Sequence, residues 1–374
     1  MGKHVVLVEP GYHTHFPPLG LLKLSAYHKM GGDTTELMSF RQGPKLPRAR
    51  PDLVYVTSLY TWEWKLVWNA VRYLKMWFSG VPVWLGGLYA SIKPEHARLS
   101  GADYVHEGLF KEAEDLLPDY DLVPEWNGSI LFSSRGCPNQ CGFCAVPRLE
   151  GKMSFAKHSI RHLIWPGHEK KEGCCKRRHH TRIIFFDNNI LASPGWSSIS
   201  DELLELGLQV DFNQGLDARL ISEDVAEKIS KMKKRDGVVR LAYDYPQMKP
   251  YVERAIERLG ARAGIDKRHI LVYTLFNYVD DPEEFFHRVK EILRWGVACY
   301  PMRYIPIDAT EKKGYVAPKW TLKEIEFVEE SRRIIGYGGA FPPYKALIDK
   351  FDNSSSFNDA FDQSLYQGKR RRSK

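Results

Sequence analysis

Short apolar runs alternate with longer amphipathic segments along most of the chain, a pattern that predicts parallel α/β architecture. The first series of runs predicts five strands with helices at 19–30 and 61–77, which indicates an amino-terminal doubly wound, Rossmann-like sheet. Its ligand is expected over the carboxyl ends of the strands. The five predicted strands are Val5 to Glu9, Thr34 to Phe40, Asp52 to Ser58, Val81 to Gly87 and Ala102 to Gly108.

A second series starts after residue 128 and contains six strands, which predicts a partial (β/α)6 barrel similar to a TIM barrel. Helices are predicted at 222–232, 249–260 and 281–296, with Ser222 and Asp281 as N-cap candidates. Chemistry is expected at the carboxyl ends of the strands. The six predicted strands are 129–135, Arg182 to Asp187, Leu208 to Gly215, Val238 to Asp244, His269 to Phe276 and Ala298 to Pro306.

Changes in the pattern divide the chain into four parts. A proline-containing linker is predicted from Leu116 to Gly128, between the two series. Thr321 with Glu324 three residues later forms a capping box, which predicts the start of a helix near the end of the chain. The four parts are a Rossmann-like domain at 1–125, a partial barrel at 126–310, a helical extension at 311–352 and a disordered basic tail at 353–374.

The amino-acid composition limits the class of protein and its compartment. A chain of 374 residues that is 43% apolar can bury a sizeable core. Six cysteines are too few for a disulfide scaffold, and their clustering indicates a metal or catalytic task in the cytoplasm. The start MGKHVVLVEP has too short an apolar stretch for a signal peptide, and no run of about 18 apolar residues predicts a membrane span.

The net charge of +8 is concentrated in two stretches, KKEGCCKRRHH at 170–180 and KRRRSK at 369–374. Basic clusters supply sequence-independent affinity for phosphates, so both stretches are candidates for contact with a nucleic acid. A solvated loop and a disordered tail explain the same composition.

Three cysteines stand close together in RGCPNQCGFC: Cys137, Cys141 and Cys144. They follow the first strand of the second series on a loop rich in glycine and proline, which lets the backbone direct three thiolates to one centre. A structural zinc site needs a fourth ligand, which neither Asn139 nor Gln140 is well suited to give. A cluster of four irons and four sulfides held by three cysteines instead leaves one iron open to another ligand.

The spacing C-x3-C-x2-C, with Phe143 before the last cysteine, resembles the radical S-adenosylmethionine superfamily. The resemblance implies that S-adenosylmethionine binds the open iron and that its reductive cleavage gives a 5'-deoxyadenosyl radical. It also implies a reducing partner such as flavodoxin or ferredoxin. The protein's task would be to position and shield these cofactors.

Further site residues are expected at the ends of the barrel strands. By the resemblance, Phe143 lies near the adenine and the segment at Asp187 and Asn188 lies near the amino group of S-adenosylmethionine, although the usual Gly-Gly-Glu is missing there. Asp187 can alternatively cap the next helix. The other cofactor-binding candidates are Asn213, Gln214 and Arg219, and the catalytic candidates are Tyr243, Asp244 and Arg303.

The first domain is similar to the amino-terminal domain of the cobalamin-binding branch of that superfamily. The similarity rests on FPPLGLLKLSAYHKMGG, VWLGGLYAS and ADYVHEGLFKEAE. It implies a corrin in the crevice, close to Gly86, Gly87 and Gly108, beside the loops at 11–20 and 58–64. The pattern D-x-H-x-x-G, which supplies an axial histidine in many cobalamin proteins, is absent; His13 and His15 are the nearest substitutes.

These observations predict a cobalamin-dependent methyltransferase, or another enzyme that modifies a C–H bond by radical chemistry. Its substrate could be a nucleic acid, a nucleotide or a peptide. A methylthiotransferase that modifies transfer RNA or a protein is the first alternative, because Val146-Pro147 follows the third cysteine. Such enzymes carry a second cluster in the amino-terminal domain, yet Cys137 is the first cysteine here, and Cys174, Cys175 and Cys299 remain without an assigned role. A non-catalytic, basic RNA-binding iron–sulfur protein is the second alternative.

Overall fold

The computed structural model of the chain describes residues 2–167 and 179–362. Cys174, Cys175, the basic end at 369–374 and all but the last two residues of the basic stretch at 170–180 lie outside the described residues. None of the described helices is both long and apolar enough to cross a membrane.

The amino-terminal part forms one parallel sheet with the strand order β2-β1-β3-β4-β5. The order reverses beside β1, so the switch point where such sheets bind ligands lies between β1 and β3. All five predicted strands are present. They are β1 (His4–Glu9), β2 (Thr34–Ser39), β3 (Leu53–Ser58), β4 (Val83–Gly87) and β5 (Tyr104–Val105).

Helices cover both faces of this sheet because successive strand residues point to opposite sides. Val5 and Leu7 of β1 pack with Leu21 of the first helix, whereas Val6 and Val8 join a separate core with the later helices. The sheet is therefore doubly wound, as predicted. The helices are α1 (Leu19–Met30), α2 (Trp64–Trp77), α3 (Leu88–Ile92) and α4 (Pro94–Arg98).

The rest of the described chain is built on two further parallel sheets, with the orders β11-β10-β9-β6 and β12-β13-β14. A parallel bridge between Leu216 and Leu241 joins them, and a short antiparallel pair, β7 with β8, stands apart. The strands are β6 (Gly128–Leu131), β7 (Ser134–Arg135), β8 (Phe155–Ala156), β9 (Arg182–Phe185), β10 (Gln209–Phe212), β11 (Lys233–Lys234), β12 (Val239–Ala242), β13 (Ile270–Phe276) and β14 (Ala298–Arg303).

Amphipathic helices pack on these strands and share one large core with them. The predicted caps are confirmed: Ser222 and Asp281 accept backbone hydrogen bonds at the starts of their helices, and Thr321 forms a capping box with Glu324. The helices are α5 (Val146–Leu149), α6 (Trp196–Leu206), α7 (Glu223–Lys231), α8 (Lys249–Glu257), α9 (Pro282–Arg294), α10 (Leu322–Ile334), α11 (Lys345–Asn353) and α12 (Phe357–Phe361).

The predicted disordered tail from residue 353 is wrong for its first ten residues, through Asp362. Phe357 and Phe361 lie on one face of α12 and are almost fully buried; Phe361 packs on Phe285 and Phe357 packs on Trp320. Ser356 caps the helix by accepting a bond from the Asp359 amide. The Ser- and Asn-rich composition of this stretch concealed two aromatic residues at helical spacing.

The predicted linker is not a loose connection. Tyr120 is buried, and its hydroxyl accepts a hydrogen bond from the Ile130 amide at 2.7 Å. The ring of Tyr120 packs edge-on against His180, which also contacts Trp165 and shares a hydrogen bond with Ser129. This cluster fixes the linker to the first strand of the second part.

The buried imidazole of His180 should make stability depend on pH. Burial lowers the pKa of His180 to about 4, whereas an unfolded histidine titrates near 6.5. Below pH 6.5 the unfolded chain therefore binds the proton first, and stability falls as the pH drops towards 4. We expect a loss of up to about 3 kcal/mol in the free energy of unfolding across this window.

Guanidinium unfolding at several pH values would measure this effect. His180→Asn has no titrating group and should lose the histidine's share of the slope between pH 6.5 and 4. Equal slopes in the two proteins would show that His180 does not have the lowered pKa.

Candidate functional site at the cysteine loop

The three clustered cysteines lie on a closed loop at the carboxyl end of β6. This cysteine loop (residues 136–154) leaves β7 and returns in β8, and pairing of Arg135 with Phe155 closes its base. Within it, the Cys137 amide donates to the Gly151 carbonyl at 3.1 Å, and the Cys144 amide donates to the Cys141 carbonyl at 3.0 Å. All three cysteines are therefore held on one short, folded segment.

The sulfur atoms of this loop accept hydrogen bonds from nearby N–H groups. The amides of Asn139 and Val146 approach Cys137 Sγ and Cys144 Sγ at 3.5 and 3.4 Å. Asn189 Nδ2, at the end of β9, lies 3.8 Å from Cys137 Sγ. Donors directed at sulfur favour the thiolate, which is the form that binds metal.

The pKa values of two of the three loop thiols are raised. Burial, followed by the neighbouring thiols, raises the pKa of Cys141, and burial also raises that of Cys144. Among the described residues, no three His, Cys, Asp or Glu side chains are placed to hold a single metal ion. An iron–sulfur cluster makes no such demand, because each cysteine binds a different iron. The three partly exposed, free thiols fit this group.

The Asp187 carboxylate is directed at the segment that leads into the cysteine loop. It is 3% exposed, and its carboxylate accepts bonds from the amides and hydroxyls of Ser133 and Ser134 at 2.6–2.9 Å. All four bonds come from the segment that leads into the cysteine loop. Asp187 does not cap the following helix. Its contact with S-adenosylmethionine stays a prediction.

Asn188 also bonds to the loop. Its Nδ2 donates to Glu150 Oε2 at 2.8 Å, and the same oxygen accepts the Gly136 amide. Glu150 Oε1 in turn accepts from Arg135. Asn188 therefore fixes the end of the cysteine loop, and its predicted contact with S-adenosylmethionine remains a prediction.

Asp217, which follows β10, is the centre of a polar network beside the cysteine loop. Its carboxylate accepts from Asn139 at 3.1 Å and Asn189 at 3.0 Å, and it pairs with Arg219 through two bonds. Burial raises the pKa of Asp217, but these hydrogen bonds outweigh it and the net shift is downward. An ionised Asp217 thus ties two strand-end segments, after β9 and after β10, to the cysteine loop.

Asn189 takes part in this network through its side-chain nitrogen. Asn189 is 5% exposed, and its Oδ1 is buried without a hydrogen-bond partner in the described residues. A buried amide oxygen of this kind is costly unless a donor reaches it. Asn213 and Gln214 are the two residues directly after β10, and Gln214 is exposed.

The two predicted catalytic residues at the end of β12 point in different directions. Tyr243 is buried, and its hydroxyl donates to Glu291 of α9 at 2.8 Å. It therefore packs between the strand and α9, and its catalytic role stays a prediction. Asp244 accepts the Leu275 amide at 3.0 Å, and burial raises its pKa to about 6. Its charge also contributes to raising the pKa of Cys141, which places it on the cysteine side.

Arg303 is also bonded to a helix. Its guanidinium pairs with Glu329 of α10 at 3.0 Å and donates to the carbonyls of Lys313 and Tyr315. Only 9% of the side chain is exposed. These contacts hold α10 to β14, and the catalytic role of Arg303 stays a prediction.

The carboxyl edge of the first sheet holds the three predicted glycines in two different environments. Gly86 and Gly108 border open space: the nearest atom to a Cβ at Gly86 would be 3.9 Å away, and none lies within 4 Å at Gly108. Gly87 is tightly packed, since a Cβ there would lie 2.2 Å from the Ser58 carbonyl oxygen. Gly86 and Gly108 can approach a ligand, whereas Gly87 serves the contact between β4 and β3.

Gly87→Ala should destabilise the first domain much more than Gly108→Ala. Both glycines have positive φ, at 100° and 79°, which costs an alanine about 1–2 kcal/mol. Only Gly87 adds a collision with backbone, so we expect about 3 kcal/mol or more for it and about 1 kcal/mol for the control. Chemical unfolding of the two variants measures the difference, and similar losses would contradict this packing.

Aromatic rings line the loops around the switch point of the first sheet. Tyr60 and Trp62 stack with their ring centres 4.9 Å apart, and Tyr12 lies edge-on to Tyr60. His13 and His15 are exposed, with ring centres 5.2 Å apart. These loops offer flat surfaces and open glycine backbone at the place predicted for a corrin.

The carboxyl edges of the two parts face each other. Thr61 donates to the Ala309 carbonyl at 2.6 Å, Lys93 donates to the Asp308 carbonyl at 3.2 Å, and Arg148 of α5 donates to the Ile92 carbonyl at 2.7 Å. The loop after β1 also reaches across, because Phe16 packs edge-on against Phe186. The cysteine loop and the crevice of the first sheet thus share one region.

Aromatic residues after the last three strands escaped prediction. Phe143 of the cysteine loop lies 5.8 Å from the ring of Tyr245 and 5.9 Å from that of Tyr278, and Tyr278 lies 4.5 Å from Tyr304. Each tyrosine comes one to three residues after a strand, a position that the sequence pattern does reveal. Cys299 is fully buried in β14 and so is not a ligand of this site.

Comparisons with known proteins were made for the sequence and for the structure. No protein-family model matches the chain. A bacteriochlorophyllide d C-12(1)-methyltransferase of Chlorobaculum tepidum is 21% identical over 185 residues, which is 46% of this chain. The chain spans only 38% of that relative's length.

Two solved structures of the radical S-adenosylmethionine methyltransferase TsrM from Kitasatospora setae resemble the chain over 90% of its length, each with a TM-score of 0.58. One contains tryptophan substrate with an S-adenosylmethionine analogue, and the other contains cobalamin with a [4Fe-4S] cluster. The chain covers 77% and 76% of them, at 13% and 14% identity. The chain therefore shares the fold of a cobalamin-binding radical S-adenosylmethionine methyltransferase, which confirms the resemblance expected from its cysteine motif.

Proposed function

We propose that this chain is a radical S-adenosylmethionine enzyme that transfers a methyl group to an unactivated carbon, using a [4Fe-4S] cluster and cobalamin. The observation that carries the proposal is the meeting of two carboxyl edges. One bears the three-cysteine loop, and the other bears the open crevice of a doubly wound sheet. When bound, the cluster and S-adenosylmethionine supply radical chemistry and cobalamin supplies a carrier for the methyl group.

In this proposal Cys137, Cys141 and Cys144 hold the cluster. The unpartnered Oδ1 of Asn189 accepts a hydrogen bond from the amino group of S-adenosylmethionine, which removes the cost of burying that oxygen. Phe143 covers the adenine. Asn213, Gln214 and Arg219 follow β10 and complete the polar side of the pocket, and Asp244 offers a carboxylate on the cysteine side.

Cobalamin is proposed to lie over the switch point between β1 and β3. Gly86 and Gly108 leave room for a large planar ring, and Tyr60 with Trp62 provides a flat apolar surface. The contacts of Thr61, Lys93 and Arg148 across the two edges fix the distance between this crevice and the cysteine loop.

The finer architecture is also proposed. The parallel strands β6, β9, β10, β12, β13 and β14 form a partial barrel at 126–310, preceded by the cobalamin domain at 1–125 and followed by a helical extension from 311.

A cytoplasmic flavodoxin or ferredoxin supplies electrons. The similar proteins carry names that refer to tryptophan and a bacteriochlorophyllide, which supports methyl transfer to an organic acceptor.

Anaerobic reconstitution with iron, sulfide and hydroxocobalamin tests the proposal. After removal of unbound ligand, metal analysis and an absorption spectrum should give about four irons and about one cobalt per chain. The reduced protein should then consume S-adenosylmethionine. Four irons without cobalt would remove cobalamin from the proposal, and a chain that binds no iron would overturn it.

A further inference from the structure

Three tyrosines form a continuous surface at the carboxyl ends of the last three strands. Tyr245 follows β12, Tyr278 follows β13 and Tyr304 follows β14, and we call this set the tyrosine wall. Ring centres are 6.4 Å apart between Tyr245 and Tyr278 and 4.5 Å apart between Tyr278 and Tyr304. All three side chains are half-buried, so part of each ring is open to a ligand.

The tyrosine wall lies directly against the cysteine loop. The ring of Phe143 contacts both Tyr245 and Tyr278. A Cβ added at Gly142 would lie only 2.7 Å from the Tyr278 hydroxyl, so the loop backbone and this ring meet closely. A molecule on the wall would therefore lie beside the cysteines.

The backbone around the wall is rigid. Asn277 precedes Tyr278, is fully buried and has a φ of +64°, which is rare for a residue other than glycine. Its side chain donates to the carbonyls of Tyr304 and Tyr315 and accepts the Ala317 amide. A strained, fully bonded residue of this kind fixes Tyr278 and Tyr304 relative to each other, as a preorganised binding surface requires.

Three arginines near the wall already have partners. Arg219 is paired with Asp217, Arg303 is paired with Glu329, and Arg148 is bonded to a backbone carbonyl. Burial raises the pKa of Tyr245, and Tyr278 contributes to the same shift, so the phenol stays neutral. Asp244 adds a carboxylate on this side. Phosphates bind where arginines and lysines are available, which is not the case for these three arginines.

We propose that the substrate is a small molecule with an uncharged, planar aromatic ring, which stacks on the tyrosine wall beside the cysteine loop. Aromatic side chains bind flat rings through offset or edge-to-face contacts, and they do so without charge. This inference rests on the proposed function, since it assigns the acceptor of the same site. It narrows the candidates from nucleic acids, nucleotides and peptides to small aromatic molecules.

Equilibrium dialysis of the reconstituted holoenzyme with indole, and with cyclohexanol as a non-aromatic control, tests the proposal. Indole should bind more tightly than cyclohexanol. Tyr278→Leu should weaken indole binding about fivefold to tenfold, whereas Tyr278→Phe, which keeps the ring, should leave it within about twofold. Tyr304→Leu should repeat the loss, and cyclohexanol should not respond to either leucine variant.

The same dialysis with a short single-stranded RNA distinguishes the competing occupant. RNA binding that is tighter than indole binding and is lost in Tyr278→Leu would overturn the proposal, as would equal binding of indole and cyclohexanol. Iron and cobalt contents of every preparation are measured in parallel. A failure of the proposed function appears as missing metal, whereas a failure of this inference appears as missing ring preference with normal metal content.

Discussion

Replacing Cys141 with alanine is expected to reduce the iron bound after anaerobic reconstitution from about four atoms per chain to a small fraction of that. The chain has only three cysteines on the loop, and each thiolate is needed because a cluster held by three already has one iron without a protein ligand. Two remaining thiolates cannot replace the third, since the nearest other described cysteine, Cys299, is fully buried in β14. Cys137→Ala and Cys144→Ala should behave alike.

Cys299→Ala is the matched control, because it removes a thiol of the same chain without touching the loop. It should keep about four irons and the same absorption spectrum as the unchanged protein. Reductive cleavage of S-adenosylmethionine, followed by chromatography, gives the second readout. Cleavage retained in all three loop variants would refute the assignment of the cluster to this loop.

The sheets could be predicted well because their strands are short, apolar and separated by amphipathic helices. In β1, Val5 to Val8 are all fully buried, and a strand covered on both faces has no polar side to confuse the pattern. The predicted strand starts and ends differ from the observed ones by a few residues at most. Pattern alone could not show that residues 357–361 form a helix, because its stability comes from tertiary contacts with Phe285 and Phe351.

The site was only partly predictable, for a reason of geometry. A residue at a strand end points either into the region above the sheet or under the flanking helices, and a shift of one position exchanges the two. Tyr243 and Asp244 are neighbours, yet the first bonds to a helix and the second lies on the cysteine side. Arg303 bonds to Glu329, 26 positions later in the chain, a partner that no local pattern reveals.

The supporting contacts of the cysteine loop were missed because they join distant segments. Asp217 bonds Asn139 across 78 positions, and Asp187 bonds Ser133 across 54. Aspartate and asparagine after a strand are also common at turns and helix caps, so their type alone does not separate a ligand from a scaffold residue. The three cysteines, by contrast, are close together in the sequence, so their spacing could be interpreted before the fold was known.

Arg135, the residue two positions before the first cysteine, should be the most sensitive structural position of this region. Its guanidinium donates to Glu114 at 2.8 Å and to Glu150 at 3.1 Å, and it lies 3.3 Å above the Phe132 ring. Only 9% of its side chain is exposed. Glu114 also pairs with Lys23 of α1, so Arg135 links the first domain to the cysteine loop.

Arg135→Ala is expected to lower the free energy of unfolding by about 3 kcal/mol, because it leaves two largely buried carboxylates with fewer partners. It should also reduce the iron retained after reconstitution, since Glu150 holds the Gly136 amide at the start of the loop. Arg268→Ala is the matched control: its arginine pairs with Asp266 but is 76% exposed, and because solvent screens the pair, its loss should leave stability close to that of the unchanged protein. Guanidinium unfolding and iron analysis of both variants measure the contrast. If Arg135→Ala were as stable as the control and kept its iron, the ion network would contribute nothing to the loop, and the thiols would be held by the pairing of β7 with β8 and by the bonds of Asp187 and Asp217 alone.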